Sequence, residues 1–352
     1  MSFVSLPTEL CLLIISFAVI APPSPDHQSY SSRQETLRAL SLVHRSWTRI
    51  AQESLRKEVW IDGFDQENEE EMERKSDQLI SSDLCVTEYL TVDGAIGHFL
   101  DWTAVKKWGQ IKYLRLFMVE NAGFDDEEDP EGDQLPEYAY IRDIALFPHL
   151  EELVLAKGLL VMSESDSDLS FPNLRRLTMR GDMEINDLGS TPTPIFTRDH
   201  TPQLTTLALE ETRLSYWGFE HHFSGVYDQI TTLAVKDSDE TRYLGRLSSL
   251  AHLSKLRNLR HLSLDMETPI EHDILAVEGL HLESLHLSFK MLLDEPDLKE
   301  LLEEILDGEI GGLQVDRIVI YGHEAGLVKG SLDKFEISDD QESPPFEDFD
   351  GK

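Results

Sequence analysis

Three patterns of apolar spacing divide the chain. The first is a run from Leu10 to Ala21 in which only Ser16 is polar. Leu10, Leu13, Ile14 and Phe17 share one face of a helix there, while Cys11, Leu12, Ile15 and Ala18 cover much of the rest. Pro7 suits the first turn, with Thr8 beside it and Glu9 near the positive end of the helix. The second pattern is Leu37, Leu40, Val43, Trp47, Ile50, Ala51 and Leu55, spaced for further short helices. The stretch between them, APPSPDHQSYSSRQ (21–34), is rich in turn formers and reads as a loop. A helix apolar nearly all round has to be buried nearly all round. Two or three short helices in ~50 residues cannot cover both its faces, so the surplus predicts a docking partner.

The third pattern is a recurring phrase, Leu-x-x-Leu-x-Leu. It stands at HLEELVL (149–155), NLRRLTM (173–179), QLTTLAL (203–209), QITTLAV (229–235), NLRHLSL (258–264) and HLESLHL (281–287). IKYLRLF (111–117) fits, while EYLTV (88–92) and DRIVI (316–320) fit in part. Successive copies begin 23 to 39 residues apart, room for one strand and one connector each. DEPDLKELLEEILDG (294–308) is the clearest connector helix, with Pro296 near its start and Gly308 as terminator. Units of this kind bury their leucines only by stacking, so the fold class is α/β, with an irregular solenoid over 85–325. In such strands leucines point into the core and alternate residues point out. The exposed inner face then carries Tyr113, Arg115, Phe117, Arg176, Arg180, Lys236, His261, His286, Arg317 and Tyr321 as candidate partner contacts.

Net charge, −36 over 352 residues, is unevenly spread. DQENEEEME (65–73), DDEEDPEGD (125–133) and EISDDQESPPFEDFD (336–350) hold 20 acids without one basic residue. Such runs sit in solvated segments, giving an acidic linker or helix over 62–84 and an acidic disordered tail over 326–352. The surface argues against nucleic acid, whose phosphates need clustered Lys and Arg, and against anionic membranes.

The opening run falls short of the ~20 residues of a membrane-spanning helix. A signal peptide needs a positively charged start, and no Lys or Arg precedes Arg33. Only Cys11 and Cys85 are present, and no Asn-x-Ser/Thr acceptor occurs. Both facts fit a reducing compartment, cytoplasmic or nuclear. No phosphate-binding Gly-rich loop, GxSxG elbow, HExxH pair or CxxC pair appears, so neither an enzyme nor a cofactor or metal site is expected. His221–His222 lacks a spaced third ligand, and Arg180-Gly181-Asp182 reads as a chance tripeptide.

The N-terminal residues resemble an F-box. LPTELCLLII followed by LRALSLVHRSWTRIAQESLRKEVWI carries Leu-Pro-x-Glu-Leu, Leu-x-Leu-Val-x-Arg-x-Trp and a terminal strand-like segment, over Leu6 to about Ile61. Two departures are the long insert at 21–34, of a kind found in fungal members, and His44 in place of a small residue or Cys. The repeats are similar to leucine-rich repeats, although the Asn expected after the last Leu is absent and repeat length is erratic. The resemblance implies a non-catalytic substrate-recognition subunit of an SCF-type ubiquitin ligase, with a helical module over 1–61. That module docks on a Skp-family adaptor, and through it a cullin, by way of Leu6, Pro7, Leu10, Ile14, Leu40, Val43 and Trp47. The repeat domain then holds an unknown protein substrate. Two rivals are a Skp-binding scaffold outside any ligase and a secreted leucine-rich-repeat recognition protein.

Overall fold

Pro7, in extended conformation (φ −52°, ψ 147°), caps helix α1 (Thr8–Ala18) in the computed structural model. Its carbonyl takes the first helical bond, from the Cys11 N–H at 3.1 Å, so proline precedes the first turn instead of lying within it. The structure describes residues 7–19, 21–43, 45–62, 86–93, 110–117, 138–162, 169–187, 196–210, 218–236, 253–266, 279–289, 313–321 and 335–337. Leu6, His44, the 294–308 connector and nearly all of the 62–84 linker fall outside them. The chain forms two compact units, Met1–Val154 and Leu155–Lys352.

In the first unit, α1 packs with helices α2 (His27–Val43) and α3 (Arg45–Lys57) around Cys11, Ile15, Leu37 and Ile50. The expected loop at 21–34 is corrected here, because its second half is helical. Asp26 caps α2 by accepting the Ser29 N–H at 2.7 Å, which also lowers its carboxyl pKa. Only 21–26 remain as loop, held close by Pro22, Pro23 and Pro25.

Strand β1 (Glu58–Asp62) leaves α3 directly and pairs in parallel with β2 (Tyr89–Asp93), which pairs with β3 (Tyr113–Phe117). A short strand β4 (Tyr138–Tyr140) and a helical turn, Ile141–Ile144, precede β5 (Glu152–Met162). The helices and β1–β3 thus share one unit.

The second unit continues in the same manner. Strands β6 (Arg176–Asp187), β7 (Thr206–Glu210), β8 (Thr232–Lys236), β9 (His261–Met266), β11 (Ser284–Phe289), β13 (Ile318–Tyr321) and β14 (Phe335–Ile337) lie side by side, all parallel. A two-stranded side sheet joins β10 (His281–Leu282) to β12 (Gln314–Val315). The fold is mixed α/β with a parallel sheet. The repeated phrase sets the register, since Leu177, Leu207, Leu233, Leu262, Leu285 and Ile318 are successive partners and every one is buried. Burying such a row is worth ~1.5–3 kcal/mol per side chain. Strand β14 falls where a disordered tail was expected, so pairing runs on to Ile337.

Strands β7, β8 and β9 each begin on a shared acceptor. The Arg175 carbonyl receives the N–H groups of Thr205 and Thr206, that of Thr205 receives Thr231 and Thr232, and that of Thr231 receives Arg260 and His261, all within 2.8–3.1 Å. Ahead of β5, β6, β7 and β9 lie tight turns, FPHL (147–150), FPNL (171–174), TPQL (201–204) and LRNL (256–259), whose last N–H bonds the carbonyl three residues back. Proline suits the second turn position, so these residues start the repeat as firmly as the leucines continue it.

Among the described residues no helix is long and apolar enough to cross a membrane. The helix Gly218–Phe223 buries His222 beside Phe223, which stacks on Phe196 at 5.2 Å. Burial, with His221 adding to it, lowers the His222 pKa from 6.5 to about 4. A depressed folded-state pKa means that stability is complete above about 6.5 and is lost as pH falls toward 4. Urea unfolding of the intact chain is expected to lose up to ~3 kcal/mol more across that range than His222→Gln does.

Candidate docking surface

A helix with apolar residues on all sides meets a three-helix layer along one stripe only. In α1 that stripe is Cys11 and Ile15, one turn apart, continued by the partly buried Val19. Everything else stays in water. Leu10 is 45% exposed, Leu13 50%, Ile14 38% and Phe17 84%, at the i, i+3, i+4, i+7 spacing of a single face. Leu12 is 50% exposed, and the end of α2 adds Leu42 at 86% and Val43 at 67%.

The expected contact residues therefore separate into two groups. Pro7, Leu10, Ile14 and Val43 are exposed, as docking requires. Leu40 and Trp47 instead pack, partly buried, on the cluster of Cys11, Ile15, Leu37 and Ile50. Those two hold the helices together and present little surface of their own. Leu13 and Phe17 complete the α1 face, and the 10-13-14-17 spacing already marked both.

The sheet-face candidates at β3 need a correction. Tyr113 and Arg115 are buried, and the chain's own loop lies over them. Arg115 donates from its guanidinium to the Pro25 carbonyl at 2.9 Å, the Ser24 carbonyl at 3.5 Å and the Tyr113 hydroxyl at 2.8 Å. The same group lies 5.6 and 5.4 Å from the ring centroids of Tyr113 and Phe117. Trp60 of β1 stacks with Phe117 and meets Tyr30 and His27 of α2, extending this cover across the strands.

A second buried group sits beside it. Glu58, at the start of β1, accepts the Ser24 N–H and, at 2.9 Å, the Ser24 hydroxyl, and pairs with Arg33 of α2 at 3.0 Å. Arg33 also reaches the Ser54 carbonyl at 3.1 Å. Burial lowers the Arg33 pKa while Glu58 opposes that shift. Nothing in the polar stretch HQSYSSRQ distinguished Arg33 as the residue to be buried.

In the second unit the candidates are mostly engaged with neighbouring strands. Arg180 pairs with Glu210 at 3.0 Å, and Lys236 pairs with the other oxygen of the same carboxylate. His261 bonds Ser284 at 2.9 Å and lies 3.7 Å from Glu283. His286 stacks on Tyr321 and bonds its hydroxyl at 3.0 Å. Arg176 stands in register with Thr206, and Arg317 is exposed just ahead of β13. Between these rows the short side chains Thr178, Ala208, Ala234 and Ser263 are buried, so less of the face is open than simple alternation implies. Among the described residues no group of three or more His, Cys, Asp or Glu side chains is placed to hold a metal ion.

Because both partners are buried, Arg33→Met or Glu58→Gln alone strands a charge or a polar group and is expected to cost ~3 kcal/mol in urea unfolding. Arg33→Met combined with Glu58→Gln is expected to cost less than the two single changes added together, the signature of direct coupling.

No protein-family model matches the chain, and no curated protein matches it in sequence.

Proposed function

We propose that this chain is a substrate-recognition subunit of an SCF-type ubiquitin ligase. In this reading α1 to α3 form an F-box. Leu10, Leu13, Ile14 and Phe17, with Leu42 and Val43, are covered by a Skp-family adaptor, which joins a cullin. The strands from β2 on, over 85–325, form an irregular leucine-rich-repeat-like solenoid, and its face holds a protein substrate. The exposed row on α1 carries the proposal, because so many large apolar side chains on one helix call for a protein surface. The F-box phrases LPTEL and LxLVxRxW, in the same residues, point to the adaptor as that surface.

The mechanism is proximity. A substrate lysine held on the face is kept near a ubiquitin-charged enzyme, which raises its effective concentration without a catalytic group from this chain. The engaged ion pairs Arg180–Glu210–Lys236 suit recognition by shape and hydrogen bonds more than by a single strong charge.

Titration calorimetry of the full chain against the Skp-family adaptor tests the assignment. Leu10→Asp and Phe17→Asp are each expected to weaken binding by ~100-fold or more while leaving the fold intact, since both side chains face water in the free protein. Trp47→Ala is expected to act by loosening the helical core, so its loss of binding tracks its loss of stability. Full affinity in both aspartate variants would reject the surface.

A further inference from the structure

The loop 21–26 is short and stiff, and it buries Ser24 while Ala21, Pro25 and Asp26 stay exposed. Three of its residues are proline, and Ser24 has no exposed surface. From the second half of this loop, Ser24 and Pro25, two sets of bonds reach separate strands. The Ser24 N–H and hydroxyl go to Glu58 at the start of β1, and the Ser24 and Pro25 carbonyls accept from Arg115 of β3. Arg33 adds α2 to the Glu58 carboxylate and α3 through the Ser54 carbonyl. Three buried side chains, Glu58, Arg33 and Arg115, therefore tie the loop, two helices and two strands together.

Stability alone does not call for this chemistry. Removing charges from water costs several kcal/mol, and well-packed apolar residues in the same space are as stabilising or more so. What a carboxylate and a guanidinium add is direction, because the one accepts and the other donates only at preferred angles. The bonds run between the helical layer and the strands, and direction there sets the angle of one against the other.

We propose that residues 21–26 are an orientation clamp, fixing the apolar face of α1 at one angle to strands β1–β3 through Glu58 and Arg115. The clamp also occupies the face of β3, so a partner held on this chain binds beyond that strand. Its consequence for ubiquitin transfer rests on the adaptor reading. A lysine gains from proximity only while its distance from the adaptor is held, and a swinging joint dilutes that gain.

The test uses the full chain carrying nitroxide labels at Ser16→Cys on α1 and His149→Cys on the turn before β5. Both sites are exposed; the background is Cys85→Ser, with Cys11 left buried. Dipolar spectroscopy is expected to give one narrow distance distribution in this parent. Pro22→Gly, Pro23→Gly, Ser24→Gly and Pro25→Gly together are expected to widen it about twofold with unchanged circular dichroism, by making the loop a flexible linker. Arg115→Met is expected to do the same from the strand side, and if it fails to fold, the glycine variant decides alone. An unaltered width in the folded glycine variant would overturn the clamp. Adaptor affinity measured on the same samples separates the two ideas: absent binding in the parent counts against the ligase reading and leaves the distance result standing.

Discussion

A helix surrounded by neighbours on one side cannot hide residues that point in every direction. Helix α1 carries large apolar side chains on several sides, and the three-helix layer covers Cys11 and Ile15 and little more. Leu10, Leu13, Ile14 and Phe17 are left in water at a cost that a free monomer has no reason to bear. The proposed function follows from that imbalance, and so does the separation between residues that build the module and residues that meet a partner. Leu40 and Trp47 pack, partly buried, on the residues that build the module.

The parallel strands obey a different constraint. Each must begin at the same level as its neighbour, or the leucines would face the wrong side. Along β7 to β9 one carbonyl ahead of each strand takes two N–H groups from the chain of its neighbour, as Arg175, Thr205 and Thr231 do. The leucine rows then align without further instruction, from Leu177 to Ile318. Erratic connector length is tolerated because only the turn and the strand are repeated, and surface loops lengthen at small entropic cost.

Much of this was legible beforehand, for physical reasons. Helical spacing marked α1 and α3, and period-two alternation marked the strands, because both follow from backbone geometry. The start of α2 was not legible: HQSYSSRQ has a loop's composition, yet the Asp26 cap and the burial of Arg33 against Glu58 make it a helix. Arg115 was misjudged for the same reason, since alternation tells which side a residue faces and not what lies on that side. The FPHL, FPNL and TPQL turns were visible in the letters, and their shared Pro at the second position was a signal of the repeat as good as the leucines.

Hydrogen exchange across α1, in the full chain alone and with excess Skp-family adaptor, is the most direct measurement of whether these uncovered side chains are a docking face. If they are, amides from Leu10 to Phe17 exchange ~10-fold or more slowly in the complex while β7–β9 are unchanged. An adaptor complex in which α1 exchanges as fast as in the free chain, or no complex at all, would contradict the account.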